Sequence, residues 1–248
     1  MINNSLIIMT GTISPNKNVY CLKLNDYKER LSQYIESLNY LIEEEVVKKI
    51  IFCDNSNFVF DTSQLKQKAK NHNIEIEFLF FKGNDKLVEV HGKGAGEFEI
   101  MKFIFQNSIL INTVETFMKI TGRIKILNLK KIINKCKENC NYFQCHYPKN
   151  KKRYVETVFY KLNIEDFKKF SNVEYLVDDS NGIYYEHIIY NQLLKNKIKF
   201  SYFPLYPIKE GISGSTGGEY NEKGKLFIIK CLLANVKLLR LYYYFSKK

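Results

Sequence analysis

Three short strand-like runs in the first 81 residues constrain the fold more than any other feature of this chain. Leu6-Ile-Ile-Met9, Lys49-Ile-Ile-Phe-Cys53 and the stretch from Glu75 to Phe81 each close on a polar or glycine-bearing turn. Their lengths and β-branched or aromatic content read as strands, the first two buried on both faces. Between the first two, Asp26 to Glu45 places Leu31, Tyr34, Ile35, Leu38, Leu41 and Ile42 at helical spacing. That pattern gives one apolar stripe. Ser63 to Asn71 reads as a second helix. Strand–helix–strand–helix–strand alternation predicts an α/β domain with a mostly parallel central sheet. Ligands bind such sheets in the crevice outside the carboxyl ends of the strands. Thr10-Gly11-Thr12 and Asp54-Asn55-Ser56 fall there.

The second half is less regular. A helix is expected over Glu97–Ser108 and a strand over Phe117–Leu127, interrupted at Thr121-Gly122-Arg123. Lys130–Glu138 reads as a short basic helix, Tyr154–Leu162 as a strand, and Ile164–Phe170 as a helical turn. Tyr184–Asn196 reads as a helix, Phe200–Phe203 as a strand, 211–218 as a loop, and Lys225–Phe245 as a final helix. No repeat or linker divides the chain. The expected organisation is one domain over 1–220 followed by a segment at 221–248.

Composition narrows the functional classes. Of 248 residues, 45% are hydrophobic and 26% charged. That balance excludes wholesale disorder and a collagen-like chain. Six cysteines in a chain this long do not indicate a disulfide scaffold. Residues 5–9 are too short for a secretory core, so reduced thiols in a cytoplasm are expected. No run approaches the ~18 apolar residues of a membrane span. The 38 Lys+Arg against 26 Asp+Glu give +12. A chain so basic suits nucleic acid, an anionic lipid surface or a phosphorylated small molecule.

Several runs carry candidate chemistry. Gly92-Lys93-Gly94-Ala95-Gly96-Glu97 precedes a helix, where glycines admit a phosphate and the helix amino end favours an anion. It matches neither a Walker loop nor a dinucleotide fingerprint, and taken alone it reads first as a flexible turn capping the helix. Alternation puts Lys119, Thr121 and Arg123 on one strand face. A diphosphate would satisfy them, with Arg123 binding bidentately; an edge strand with a wet face is the plainer alternative. Ser213, Gly214, Ser215 and Thr216 form a loop able to present N–H groups and hydroxyls to a phosphate or sugar, or a plain surface loop. Glu186 is the candidate general base, unless it only complements the start of its helix; His187 beside it reads as structural. Cys136, Cys140, Cys145 and His146 lack zinc-knuckle spacing and read as unreactive thiols with a neighbouring histidine.

The order of four pieces resembles a known family. Lys93-Gly-Ala-Gly-Glu97 is followed by Phe117-Met-Lys119-Ile-Thr-Gly-Arg123, then Tyr185-Glu186-His187, then Gly211-Ile-Ser-Gly-Ser-Thr-Gly217. Together they resemble bacterial glycosyltransferases of capsule and lipopolysaccharide gene clusters, of the GT-A type, which implies a Rossmann-like nucleotide-sugar domain. The resemblance implies transfer of a sugar from a nucleotide-sugar donor to a surface glycan or lipid-linked glycan. It places Thr10, Gly11, Thr12, Asp54, Asn55 and Ser56 near the nucleotide. Lys93 and Glu97 would border the donor, Lys119, Thr121, Gly122 and Arg123 the diphosphate, and Ser213 to Thr216 would close over it. Glu186 would be the base or an acceptor contact. The chain departs from the GT-A pattern in having no spaced Asp-x-Asp, since Asp178-Asp179 is adjacent and late. Cations would then neutralise the leaving diphosphate, and no divalent metal or other cofactor is expected. Nucleotide, sugar, acceptor and anomeric outcome stay open. A sugar-phosphate nucleotidyltransferase fits less well, because residues 10–14 contain a single glycine. A nucleic-acid-binding protein, suggested by the charge and the many Tyr and Phe, has no recognisable reading module here.

Residues 221–248 hold seven basic side chains against one acidic, a net of +6, interleaved with leucine, isoleucine and a Tyr242-Tyr243-Tyr244-Phe245 run. A basic amphipathic helix reads as a membrane-surface element. The expected location is cytoplasmic, peripheral on the inner face of the cytoplasmic membrane. A core-packing last helix with a basic solvated face is the alternative.

Overall fold

A computed structural model describes residues 5–16, 24–148, 152–213, 217–220, 229 and 231–233. A seven-stranded sheet forms the middle layer, in the order β10-β6-β9-β4-β1-β2-β3. Its strands are β1 (Leu6–Gly11), β2 (Lys49–Asp54), β3 (Glu75–Phe80), β4 (Thr116–Thr121), β6 (Asn141–Tyr142), β9 (Phe159–Asn163) and β10 (Phe200–Ser201). β1 pairs in parallel with β2 and β4, β2 with β3, and β10 with β6. β9 runs antiparallel to both its neighbours, β4 and β6. Two small ribbons complete the strands, β5 (Ile124–Ile126) with β11 (Lys209–Gly211), and β7 (Cys145–His146) with β8 (Tyr154–Val155). The expected mixed α/β class with a mostly parallel sheet is what the chain adopts.

Adjacent residues of the apolar runs serve opposite cores. Ile7, Met9, Ile50 and Phe52 face α1 (Tyr27–Glu43) and α2 (Ser63–Asn71), meeting Tyr34, Leu38, Leu41 and Leu65. Ile8, Ile51 and Cys53 face the other layer, with Phe98, Met101 and Ile104 of α4 (Lys93–Asn107) and Ile188, Ile189 and Leu193 of α8 (Tyr185–Lys195). Each such side chain contributes about 1.5–3 kcal/mol on burial. α1 starts where expected because the Asp26 carboxylate accepts from the Lys28 and Glu29 amides at 2.7 and 2.9 Å. The remaining helices are α3 (Asp85–His91), α5 (Leu129–Lys135), α6 (Ile164–Phe167) and α7 (Val173–Leu176), with 3-10 turns at Leu110–Thr113 and Asp179–Asn181.

Several expected boundaries are corrected. The expected strand 154–162 is two strands, β8 and β9, because the chain bends at Thr157 and Val158 between them. The helix expected from Glu97 starts at Lys93. α3, absent from the sequence reading, packs directly before it. Between the two, Gly92 has φ 95°, a conformation that favours glycine, and a side chain there would strike Asp179. Of the expected final helix, residues 229 and 231–233 are helical; the rest of 221–248 lies outside the described residues. No described helix is long and apolar enough to cross a membrane.

Candidate functional site

A cleft opens at the carboxyl ends of β1, β2 and β4. It is bordered by Thr10, Gly11, Thr12, Asn55, Ser56, Lys93, Glu97, Thr121, Arg123, Glu186 and Ser213 among the expected residues. These come from six separate stretches of chain. Asp54, Lys119 and Gly122 lie behind the wall rather than on it. Gly214, Ser215 and Thr216 lie outside the described residues.

The β1–β2 corner is tied together by Asp54. Its carboxylate is fully buried and accepts from the Ile13 amide at 2.6 Å, from the Ser56 amide and hydroxyl at 2.9 and 2.7 Å, and from the Phe58 amide at 3.2 Å. Burial raises its pKa while these bonds oppose the rise. Asp54 is thus not a ligand contact but the anchor that shapes two loops. Asn55, on the cleft side, accepts from the Thr12 hydroxyl at 2.6 Å.

The glycine run acts differently from the expected phosphate loop. Gly94 and Gly96 lie inside α4, where a Cβ on Gly94 would overlap Tyr185 of α8 and one on Gly96 would press on Val88 at 3.0 Å. The glycines let helices approach closely. The amino end of α4 already holds an anion, since Asp179 accepts from the Lys93 amide at 3.0 Å.

Two arginines form the opposite wall, one of them missed in the sequence. Arg30, from α1, is 4% exposed and Arg123 is 6% exposed. Arg30 donates through Nε to the Thr12 carbonyl at 2.7 Å and through Nη1 to the Leu24 carbonyl at 3.0 Å. Burial lowers its pKa, as does the Arg123 charge, while Tyr34 opposes both. Arg123 donates through Nη1 to Gln33 at 3.2 Å and to the Ile212 carbonyl at 3.1 Å, and its guanidinium sits 5.9 Å from the Tyr34 ring centroid. Its Nε is buried without a partner. The Tyr34 hydroxyl accepts from the Thr12 amide at 2.9 Å. Arg30 lies one helical turn before Tyr34, on the apolar stripe, which was the signal available in the sequence.

The chain reverses at Gly122, so alternation fails and Lys119 and Arg123 do not share a face. Lys119 is fully buried on the α4 side. Its ammonium donates to Glu97, to the Thr121 hydroxyl at 3.0 Å and to the Thr157 carbonyl at 2.8 Å. These take up all three of its protons, so it is not a free diphosphate ligand. The Thr157 hydroxyl donates to Glu186 at 3.1 Å. Burial raises the Glu186 pKa; the nearby Glu97 and Asp179 charges push the same way, against bonds from its own amide and Thr157. His187 caps α8, accepting from the Tyr184 amide at 3.1 Å through Nδ1.

Asp54 behind the cleft wall, and Glu97 and Glu186 on it, each already have a partner within the protein. Asp54 faces amide and hydroxyl protons, Glu97 an ammonium and Glu186 a hydroxyl. Among the described residues no three His, Cys, Asp or Glu side chains gather around one point. In the cysteine region, burial pushes the Cys136 thiol up to about 12. His146 meets Glu156 at 2.8 Å, and the same carboxylate meets Lys209 at 2.5 Å. Burial alone would raise Glu156, but Lys209 and His146 outweigh it and hold the carboxyl well below its usual range.

No protein-family model matches the chain, and no curated protein matches it by sequence. Solved structures resemble it in chain path. Core-mannan synthase A from Aspergillus fumigatus, in its Mn/GDP form, is 10% identical over 96% of this chain and 85% of that one, with a TM-score of 0.46. A candidate nucleotide-diphospho-sugar transferase from Desulfovibrio desulfuricans G20 is 12% identical over 80% and 78%, with a TM-score of 0.43. The nucleoside-diphosphate-sugar pyrophosphorylase from Vibrio cholerae is 13% identical over 80% and 91%, with a TM-score of 0.41.

Proposed function

We propose that this chain is a glycosyltransferase that uses a nucleotide-sugar donor and binds its diphosphate without a divalent cation. The carrying observation is the Arg30–Arg123 wall. Two guanidiniums, each more than nine-tenths buried, lie close enough for the Arg123 charge to lower the proton affinity of Arg30. Buried like charges are costly until an anion joins them. A diphosphate supplies that anion, and arginine forks match its oxygens. Thr10, Thr12, Asn55 and Ser56 border the nucleotide end, and Lys93 adds charge at the rim.

Glu186 is the proton acceptor in this reading. The acceptor hydroxyl oxygen bonds to the anomeric carbon, the bond from that carbon to the diphosphate oxygen breaks, and its electron pair departs with the nucleoside diphosphate. The hydroxyl proton passes to Glu186. A carboxylate with a raised pKa is better matched to this task than an ordinary one. The family resemblance supports a surface glycan, of capsule or lipopolysaccharide type, as acceptor. The basic composition of 221–248 supports work at an anionic membrane surface on the cytoplasmic side.

A thermal-shift panel of UDP-, GDP-, CMP- and dTDP-sugars, with and without chelator, tests the reading. One donor class is expected to stabilise the protein equally in both conditions. No shift from any donor, or a shift abolished by chelator, would overturn it. So would turnover of a sugar 1-phosphate with a nucleoside triphosphate.

A further inference from the structure

Glu97 and Glu186 border the same cleft and are joined through one buried cation. Lys119 donates to Glu97 and to the Thr157 carbonyl, and the Thr157 hydroxyl donates to Glu186. The cation therefore touches one carboxylate directly and the other only through a threonine. Two carboxylates in a shared low-dielectric site resist ionising together, and one then keeps a proton. A cation placed symmetrically between them would leave them alike. This one is not symmetric.

We propose that Lys119 is a positioning residue that engages Glu97 in a direct ion pair and leaves Glu186, which it reaches only through Thr157, as the cleft carboxylate that exchanges a proton. Other groups around Glu186 reinforce the division. Asp179, at the 3-10 turn, adds negative charge, while Lys93 faces Asp179. Tyr154 of β8, Tyr185 of α8 and Tyr220 also feel the Glu186 charge, and burial raises the pKa of all three phenols. They thus stay neutral over the range where a carboxyl titrates. The use of the Glu186 proton in glycosyl transfer rests on the function proposed above; the division of charge does not.

The experiment is a carboxyl-carbon NMR titration of the full chain labelled at glutamate, with the Glu186 signal assigned by its loss in Glu186→Gln. Removing the cation in Lys119→Met is expected to move the Glu186 titration up by about one pH unit or more. Removing the like charge in Glu97→Gln is expected to move it down by a similar amount. The double variant, which removes the pair, is expected to return toward wild type. A role in packing alone does not produce shifts of opposite sign. Shifts of the same sign, or none in folded protein, would overturn the proposal. If Lys119→Met does not fold, Glu97→Gln and the double variant carry the test: equal titrations in those two would overturn it, and a lower one in Glu97→Gln would sustain it. Opposite shifts in a protein that binds no nucleotide sugar would retain the charge division and discard the function.

Discussion

Gly122→Ala tests how the cleft is built. Gly122 does not have a positive φ, so alanine brings no backbone strain there. In such positions alanine stabilises by about 0.4–1 kcal/mol through the unfolded chain. Sterics oppose that gain. A Cβ would stand 2.8 Å from the Thr10 carbonyl oxygen and 2.9 Å from two carbons of the Tyr34 ring. Ordinary contact needs about 0.5 Å more. Neither neighbour yields easily, since one is strand backbone and the other is a buried ring whose hydroxyl holds the Thr12 amide. Overpacking of this kind costs about 1–3 kcal/mol, so the net effect is destabilising, by roughly 1–2 kcal/mol. At this chain length that lowers Tm by about 2–8 °C. Arg123 follows directly in the chain, so a displacement of half an ångström is expected to weaken nucleotide binding or turnover on the order of 10-fold. Differential scanning calorimetry and titration calorimetry with the best donor measure both. A variant more stable than wild type with unchanged affinity would refute the account of this turn.

Other perturbations follow from the same geometry. Arg123→Met is expected to weaken nucleoside diphosphate binding at least about 30-fold, from the ~2 kcal/mol cost of truncating a buried charged partner, as read by titration calorimetry. Glu156→Gln is expected to cost roughly 3 kcal/mol at neutral pH, because it leaves Lys209 buried without its carboxylate. The folded Glu156 pKa is depressed, so its stabilisation is present above the unfolded value and fades as pH falls below it. The stability gap between wild type and variant should therefore shrink below about pH 4 in urea titrations. Truncation after Tyr220 is expected to abolish co-sedimentation with anionic vesicles; equal binding by both forms would remove the membrane reading.

How much of this was legible in the sequence depended on whether a pattern was local. β1, β2, β3 and α2 were readable because each carries its own apolar run or helical period. The Gly94–Gly96 stretch was misread because its helix is imposed from outside: Tyr185 requires a bare backbone, and close packing overrides the poor helix propensity of glycine. Arg30 escaped notice because an arginine on a helix is normally solvated, although its position on the buried stripe was visible. Lys119 and Arg123 were given one face by alternation, which holds only while a strand continues; the chain turns at Gly122. Asp54 had the right place for a ligand contact, but its bonds to four main-chain and hydroxyl donors depend on loops whose shape no periodicity encodes.

The order of strands also has a consequence for how the molecule assembles. The four parallel strands β3-β2-β1-β4 are contiguous in the first 121 residues, whereas β4 waits for β9, at residues 159–163, before it gains its second neighbour. β6, made earlier, is then held on the far side of β9. Until β9 arrives, β4 is an open sheet edge with unpaired backbone groups, the kind of edge that invites wrong partners. Synthesis of the chain therefore passes through a stage at which half the cleft is present, with Arg30 and Arg123 in hand but Glu186 not yet made. In that stage the growing edge of the nascent protein is open to association with other chains.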